Sequence, residues 1–297
     1  MRLPFTDARA VYVDTRGLRI LDLRRDGLPE VPVLGWCGYG SARSDLPVHR
    51  HFGVMEIHLV QRGKQVFQIG NKPYHVRGGE LFVTFPEETH SSGGYPMGAN
   101  VLYCLQLKLP IRGRPLLRLS KKESELLVRG LRELSRRQFR AAARVKSLFD
   151  QLFTLHDQPE QPLRATRMRL ALLELLLEVI DSAAVHADSE TSRRIEAVIH
   201  EIESQPHNTF CLRDLARQAH LSLSRFKSRF KAETGIPPRQ FILQCKIEAA
   251  RKRLVNGDES VCQIAMDMGF SSSQHFATVF KRLLGGSPKA CRTSATQ

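Results

Sequence analysis

The hydrophobic rhythm of the chain changes as it is followed from its start. Over the first third, apolar residues come in short runs: GVMEIHLV at 53–60, KQVFQIG at 64–70, KPYHVR at 72–77 and ELFVTFP at 80–86. These runs are rich in Val, Ile, Phe and Tyr, with turn formers such as Gly70-Asn71 and Gly78-Gly79 between them. That spacing predicts the strands of a small sandwich or barrel. From about residue 116 the period becomes helical. Leu126, Leu127, Leu131 and Leu134 recur on one face, and Leu170, Leu173, Leu176, Leu177 and Ile180 do so again. The second stripe suits a core helix or a dimer seam, and its leucine density favours the seam. Val185 to Ser192 is small and polar and reads as a linker. Beyond it, Ile195, Val198, Ile199 and Ile202 open another amphipathic helix.

The last third repeats itself at an offset of fifty residues. Phe226 matches Phe276, Phe230-Lys231 matches Phe280-Lys281, Gly235 matches Gly285 and Pro238 matches Pro288. Upstream, Leu215-Ala216 matches Ile264-Ala265 at an offset of forty-nine. Each copy reads as a helix, a tight turn and a second helix. In the first, Leu212 to Ala219 is a short helix, and His220-Leu221 makes the turn. Ser222 caps the next helix, and Gly235 ends it. In the second, Ser260 precedes the helix of Ile264 and Ala265, and Gly269 makes the turn. Ser271 to Ser273 offer caps, and Gly285 closes. Between them, a helix from Pro238 to about Val255 would hold the two reading helices about one turn of DNA apart.

Two such units form a paired helix-turn-helix, whose second helices enter the major groove. With Phe226 and Phe230 inside, Ser224, Arg225, Lys227 and Ser228 face outward; in the second copy Ser273, Gln274, His275 and Thr278 do. Arg and Lys pair with guanine, Gln with adenine, and Ser or Thr with several base edges. Arg229, Lys231, Lys281, Arg282 and Arg292 are assigned to phosphates or solvent.

Charge agrees with this reading. Of a formal net charge of +15, more than half falls after residue 190, where 17 basic side chains face 9 acidic ones. The six cysteines, at 37, 104, 211, 245, 262 and 291, form no CxxC pair and read as reduced. The start of the chain has no apolar signal run. The greasiest stretch, Leu170 to Ile180, is too short for a bilayer and is broken by Glu174 and Glu178. The expectation is a cytoplasmic protein without a membrane partner.

From Ile199 to Arg292 the pattern resembles the DNA-binding domain of AraC/XylS transcription regulators. The carrying residues are DLA at 214–216, RFKSRFKAETGIPPRQF at 225–241 and IAMDMGFSSSQHFATVFKRLLGGSP at 264–288. The resemblance implies seven helices and promoter binding. Ala290-Cys291 stands where the family often has a Tyr before the final Arg, and a packing change alone is expected there.

The first third resembles a cupin barrel. His49 and His51 are followed by Glu56 after four residues and Gly63 after six more; Pro86 and His90 come later. In metal cupins the two His, the Glu and the later His bind one divalent ion, and such donors suit Fe, Zn, Ni or Mn. The second motif is incomplete, its Pro-to-His spacing being short. The reading therefore assigns no metal and no cofactor, with His49, His51, Glu56 and His90 as the candidates were one bound. Trp36, Tyr39, His49, His51, Glu56 and His90 are assigned to a small-molecule effector.

The expected architecture is multidomain: a cupin-like β-barrel at 1–115, a helical dimerisation region at 116–188 and an all-α domain with two helix-turn-helix motifs at 191–297. The expected function is a non-enzymatic transcription regulator, read as an activator. It acts as a homodimer on double-stranded promoter DNA under an effector, with RNA polymerase a further candidate partner. The alternative is a metal-dependent cupin enzyme with an accessory DNA module.

Overall fold

The structure is a computed structural model and describes residues 13–15, 17–38, 43–97, 100–110, 115–184 and 190–293. Two compact units emerge, one built mostly from residues up to His186 and the other from those beyond.

The first unit is built on β1 (Val13–Thr15), β2 (Leu18–Leu21), β3 (Val33–Gly38), β4 (Arg43–Asp45), β5 (Val54–Arg62), β6 (Lys64–Ile69), β7 (Lys72–Arg77), β8 (Glu80–Thr84), β9 (His90–Ser91), β10 (Pro96–Met97), β11 (Val101–Lys108) and β12 (Gln138–Arg140). Seven strands form one sheet in the order β1-β2-β3-β11-β5-β8-β12; β7-β6-β9 form a second sheet, and β4 pairs with β10. The four runs read from the sequence are β5 to β8.

The central strand β11 was not legible in the sequence, because it is buried on both faces and shows no alternation. Its register sorts the interior. Tyr103 lies opposite Leu59 and Leu105 opposite Ile57, whereas Cys104 lies opposite His58 and Gln106 opposite Glu56. Successive side chains alternate faces, so one face of the sheet is apolar and the other carries the polar groups.

The apolar face is covered by α1 (Lys121–Arg132), α2 (Ala143–His156) and α3 (Arg164–Ala184). Ile57, Leu59, Leu81, Val83 and Leu105 share a core with Leu127, Leu131, Phe149, Leu152, Met168, Leu172, Leu175 and Val179. Fully burying one such side chain contributes about 1.5–3 kcal/mol, enough to fix the helices on this face. Ser120 and Glu123 form a reciprocal capping box at the start of α1.

The buried stripe of α3 differs from the leucine stripe read in the sequence. Met168, Ala171, Leu172, Leu175, Leu176 and Val179 face the core. Leu173 and Ile180 are half-buried against it, while Leu170 and Leu177 are 58% and 47% exposed. The sheet takes the larger share of the apolar surface, so only Leu170 and Leu177 remain outward.

The second unit is all-α: α4 (Glu190–Ser204), α5 (Leu212–Gln218), α6 (Leu223–Thr234), α7 (Pro238–Asn256), α8 (Val261–Asp267), α9 (Ser273–Leu284) and α10 (Pro288–Thr293). Seven helices are thus present among the described residues. α4 starts at Glu190, inside the stretch read as linker; residues 185–189 of that stretch lie outside the described residues. Two small cores occupy the two ends of α7. Ile195, Val198, Phe226, Phe230 and Phe241 form one, and Leu254, Ile264, Ala265, Phe270, Phe276 and Phe280 the other. α7 has 19 residues, a span of about 28 Å. Among the described residues no helix is long and apolar enough to cross a membrane.

Candidate nucleic-acid interface and effector site

The caps read from the sequence are formed. Ser222 Oγ accepts from Arg225 N at the start of α6, and Ser272 Oγ accepts from His275 N at the start of α9. Gly235 and Gly285 end these helices at φ +74° and +81°, a left-handed conformation that favours glycine. In the turns before them the two copies differ. His220 takes φ +54° where the second unit uses Gly269 at φ +75°.

These caps fix which residues face out. Ser224, Arg225, Lys227 and Ser228 are all exposed on α6. On α9, Gln274, His275 and Thr278 are exposed and Ser273 is half-buried. Thr278 Oγ1 donates to Gln274 O at 3.0 Å, and the His275 ring meets Phe270 edge-on at 5.5 Å. Two of the cations assigned to phosphate or solvent are otherwise engaged. Arg229 pairs with Glu233 at 2.6 Å and donates to Ser192 Oγ at 2.6 Å, and Arg292 donates to the Glu259 carbonyl. Lys231, Lys281 and Arg282 are exposed. Cys291 packs on the second core. Replacing Gln274 by Ala should cost about 1–3 kcal/mol at one or two base pairs and leave binding to random DNA unchanged, read by competition titration.

In the first unit the polar face of the large sheet carries Glu56, His58, Thr84 and Gln106. Glu56 is 2% exposed and forms the hub. Gln106 Nε2 donates to its Oε1 at 2.7 Å, and Thr84 Oγ1 to its Oε2 at 3.4 Å. His51 Nε2 lies 3.2 Å from Oε1; His58 Nε2 and His90 Nε2 lie 3.2 and 2.9 Å from Oε2. Ligand atoms of His49, His51, Glu56 and His90 all fall within 4.8 Å of one another. The short spacing after Pro86 therefore still delivers His90, because His49 and His90 pair as an isolated bridge.

Burial and charge set the protonation states here. Burial pushes the Glu56 carboxyl up, but the imidazoles of His51, His58 and His90 beside it outweigh burial and hold it well below the usual range. Burial, then the charge of His90, lower His49 to about 4, against the Pro47 carbonyl that favours its charged form. Burial disfavours charge on His90 too, yet the Glu56 carboxylate prevails and raises it.

The donor set fits a divalent transition metal. A carbonyl can only accept, so the contacts of His49 Nδ1 to Pro47 O (2.8 Å) and His90 Nδ1 to Glu88 O (3.1 Å) put the proton on Nδ1. That leaves Nε2 for a ligand, the usual outer-shell arrangement for metal-binding histidine. His90 Nε2 is buried without a hydrogen-bond partner, although Glu56 Oε2 lies 2.9 Å away. Three imidazoles and a carboxylate suit Fe, Zn, Ni or Mn.

Two effector assignments need correction or limitation. Trp36 lies opposite Tyr103 on β11 and so on the apolar face, away from Glu56; it packs against the core shared with α2. Strand parity decides this, and the parity depended on pairing with β11. Tyr39 lies outside the described residues. Conversely, Gln106 and His58 went unread. His58 sits two residues after Glu56 on one strand, so extending the alternation would have found it; Gln106 required the pairing of β11 with β5.

Two domain families match the chain. A helix-turn-helix domain is matched over residues 215–294 and an AraC-like ligand binding domain over residues 40–176. The chain belongs to the AraC-type transcription regulators. It is similar to the HTH-type transcriptional activator RhaS of Klebsiella pneumoniae (strain 342), 25% identical over 254 residues, 84% of this chain and 88% of that protein. RhaS of Citrobacter koseri is 28% identical over 152 residues; that match takes in 51% of this chain and spans about half, 54%, of the relative. Among solved structures, the DNA-binding domain of AdpA in complex with a target DNA is 31% identical, covering 34% of this chain and 91% of that one at a TM-score of 0.33. The protein is a DNA-binding transcription regulator with a ligand-binding domain.

Proposed function

We propose that the protein is a transcriptional activator that reads two successive major-groove segments with α6 and α9 and is switched by a small molecule in the first unit. The carrying observation is the pair of matched, capped units with outward Arg225, Lys227, Gln274 and His275, in one chain with a sheet-rich unit that holds a built polar site. His49, His51, Glu56 and His90 would hold a divalent metal there, which would supply a Lewis-acidic contact for an oxygen-bearing effector. Gln106 and His58 orient the carboxylate. The names of the relatives support activation; RNA polymerase is the further candidate partner at the promoter.

The working form is a homodimer in the cytoplasm, with Leu170 and Leu177 at its seam; they lie one heptad apart on the outer side of α3. Replacing both by Glu should convert dimer to monomer in sedimentation velocity, and an unchanged dimer would place the seam elsewhere.

Selection of bound sequences from random duplex DNA by the full chain, at near-physiological salt, tests the main reading. A motif of two blocks about one helical turn apart, about 34 Å, is expected. Uniform, salt-sensitive binding without enrichment would overturn it.

A further inference from the structure

We infer that Arg137, through its ion pair with Glu88, is a positioning residue that couples the histidine cluster to the last turn of α3. The inference builds on the cluster as the site of control proposed above.

The loop of residues 85–90 is where the coupling starts. Three of the four cluster residues hang on its backbone. His49 and His90 exchange both backbone hydrogen bonds, at 2.9 and 3.0 Å, and Glu87 N donates to His51 O at 3.1 Å. Glu87 sits at φ +68° and its Oε1 accepts from Gly53 N at 2.8 Å, binding the loop again to the segment after His51. His90 Nδ1 donates to Glu88 O, so the imidazole and the Glu88 backbone move together.

Glu88 then reaches in two directions. Its Oε2 accepts from Phe85 N at 2.9 Å, closing the loop on itself. Both carboxylate oxygens accept from Arg137, NH1 and NH2 each at 2.8 Å. The guanidinium also lies over Phe85 and Tyr74, at 5.2 and 5.6 Å from the ring centroids. A bidentate pair between aromatic rings fixes orientation as well as distance, unlike a single-contact surface pair such as Arg144–Glu174.

Arg137 stands between two grips on the end of α3. Two residues before it, Ser135 Oγ donates to Ala183 O at 3.0 Å. Five residues after it, Ala142 N donates to Ser182 Oγ at 3.1 Å. Its own carbonyl accepts from Val83 N at 2.8 Å, and β12 follows, paired to β8. Ser182 and Ala183 are buried, and α3 ends one residue later at Ala184. In sequence, the helices of the DNA-binding unit begin at Glu190. A displacement of His90 by a ligand at the cluster therefore passes through Glu88 and Arg137 to the final turn of the helix from which the chain leaves the sensor. The link is a chain of hydrogen bonds joined by short backbone segments, a kind of connection that can carry coupling.

The test is a double-mutant cycle on the full chain, read by hydrogen exchange of the amides of residues 176–184. His90→Ala should speed that exchange about fivefold or more in the parent, and Arg137→Gln should remove most of the response. Effects that simply add would overturn the inference. Glu88→Gln breaks the same pair from the other side and must give the same loss, which covers an Arg137 variant that folds poorly; a full response in that background also overturns it. Cobalt(II), followed by its visible absorption, supplies a second arm. Equal binding by the parent and Arg137→Gln, with protection of 176–184 in the parent alone, supports the coupling; equal protection in both overturns it. Absence of cobalt binding would count against the metal assignment, and the ligand-free cycle would still decide on Arg137.

Discussion

Replacing Phe276 by Ala is expected to unfold the second helix-turn-helix and abolish sequence-specific binding. Phe276 is fully buried and meets Phe270 and Phe280 at 5.2 and 5.4 Å between ring centroids. The core around it is small, and besides these rings its buried members are Ile247, Ala250, Leu254, Ile264, Ala265, Met268 and Val279. Phe→Ala in a packed core costs about 3–5 kcal/mol, against about 5–15 kcal/mol for the stability of a whole domain. A core this small has few other contacts to offset that loss. Urea unfolding of the full chain should show a separate, early helical transition in the variant, with the specific complex lost and weak electrostatic binding retained. Unchanged urea unfolding would mean that Phe276 is not in the core. The contrast with Gln274→Ala is the informative part. That residue lies two positions earlier on the same helix, yet it is exposed, so its loss should alter base preference and leave folding alone.

The second unit was the more legible because its signals are local. The phenylalanines four apart, the serine caps and the closing glycines each act within a turn or two, and a repeat supplies every signal twice. The sensor was legible only where strands alternate or hairpins are tight, as in β5 to β8. Its organising strand β11 carries VLYCLQLK, buried from Val101 to Leu107, which reads equally as helix or strand. Without it the register was unknown, Trp36 fell on the wrong face and Gln106 was missed. Helix α2 lies in the region read as helical, but its own stripe of Val145, Leu148, Phe149 and Leu152, all buried, was not singled out. The cluster of His49, His51, Glu56 and His90 was legible as a motif, but its convergence was not, since it depends on a long-range bridge between His49 and His90.

Replacing Glu56 by Gln is expected to lower the affinity of the first unit for a divalent metal by about 100-fold or more while the barrel stays folded. The carboxylate is the only anionic member of the cluster and the point to which His51, His58 and His90 converge. Glutamine keeps the volume of the side chain, so the packing of β5 against β8 and β11 is preserved. It turns one acceptor oxygen into a donor, however. Either Gln106 Nε2, which now donates to Oε1, or Thr84 Oγ1, which donates to Oε2, then faces another donor. Leaving one buried donor unmatched costs about 1–3 kcal/mol, a loss the barrel can absorb. Metal binding loses more, because the neutral amide is a poor ligand and the attraction of the carboxylate charge is gone. Outer-shell changes alone typically cost about 10–100-fold in metal affinity, and a direct ligand should exceed that range. Competition with a chelating dye measures the affinity, and circular dichroism monitors the fold. A variant that folds and binds zinc or cobalt as the parent does would remove Glu56 from the ligand set and leave the cluster as a polar site for an organic effector alone.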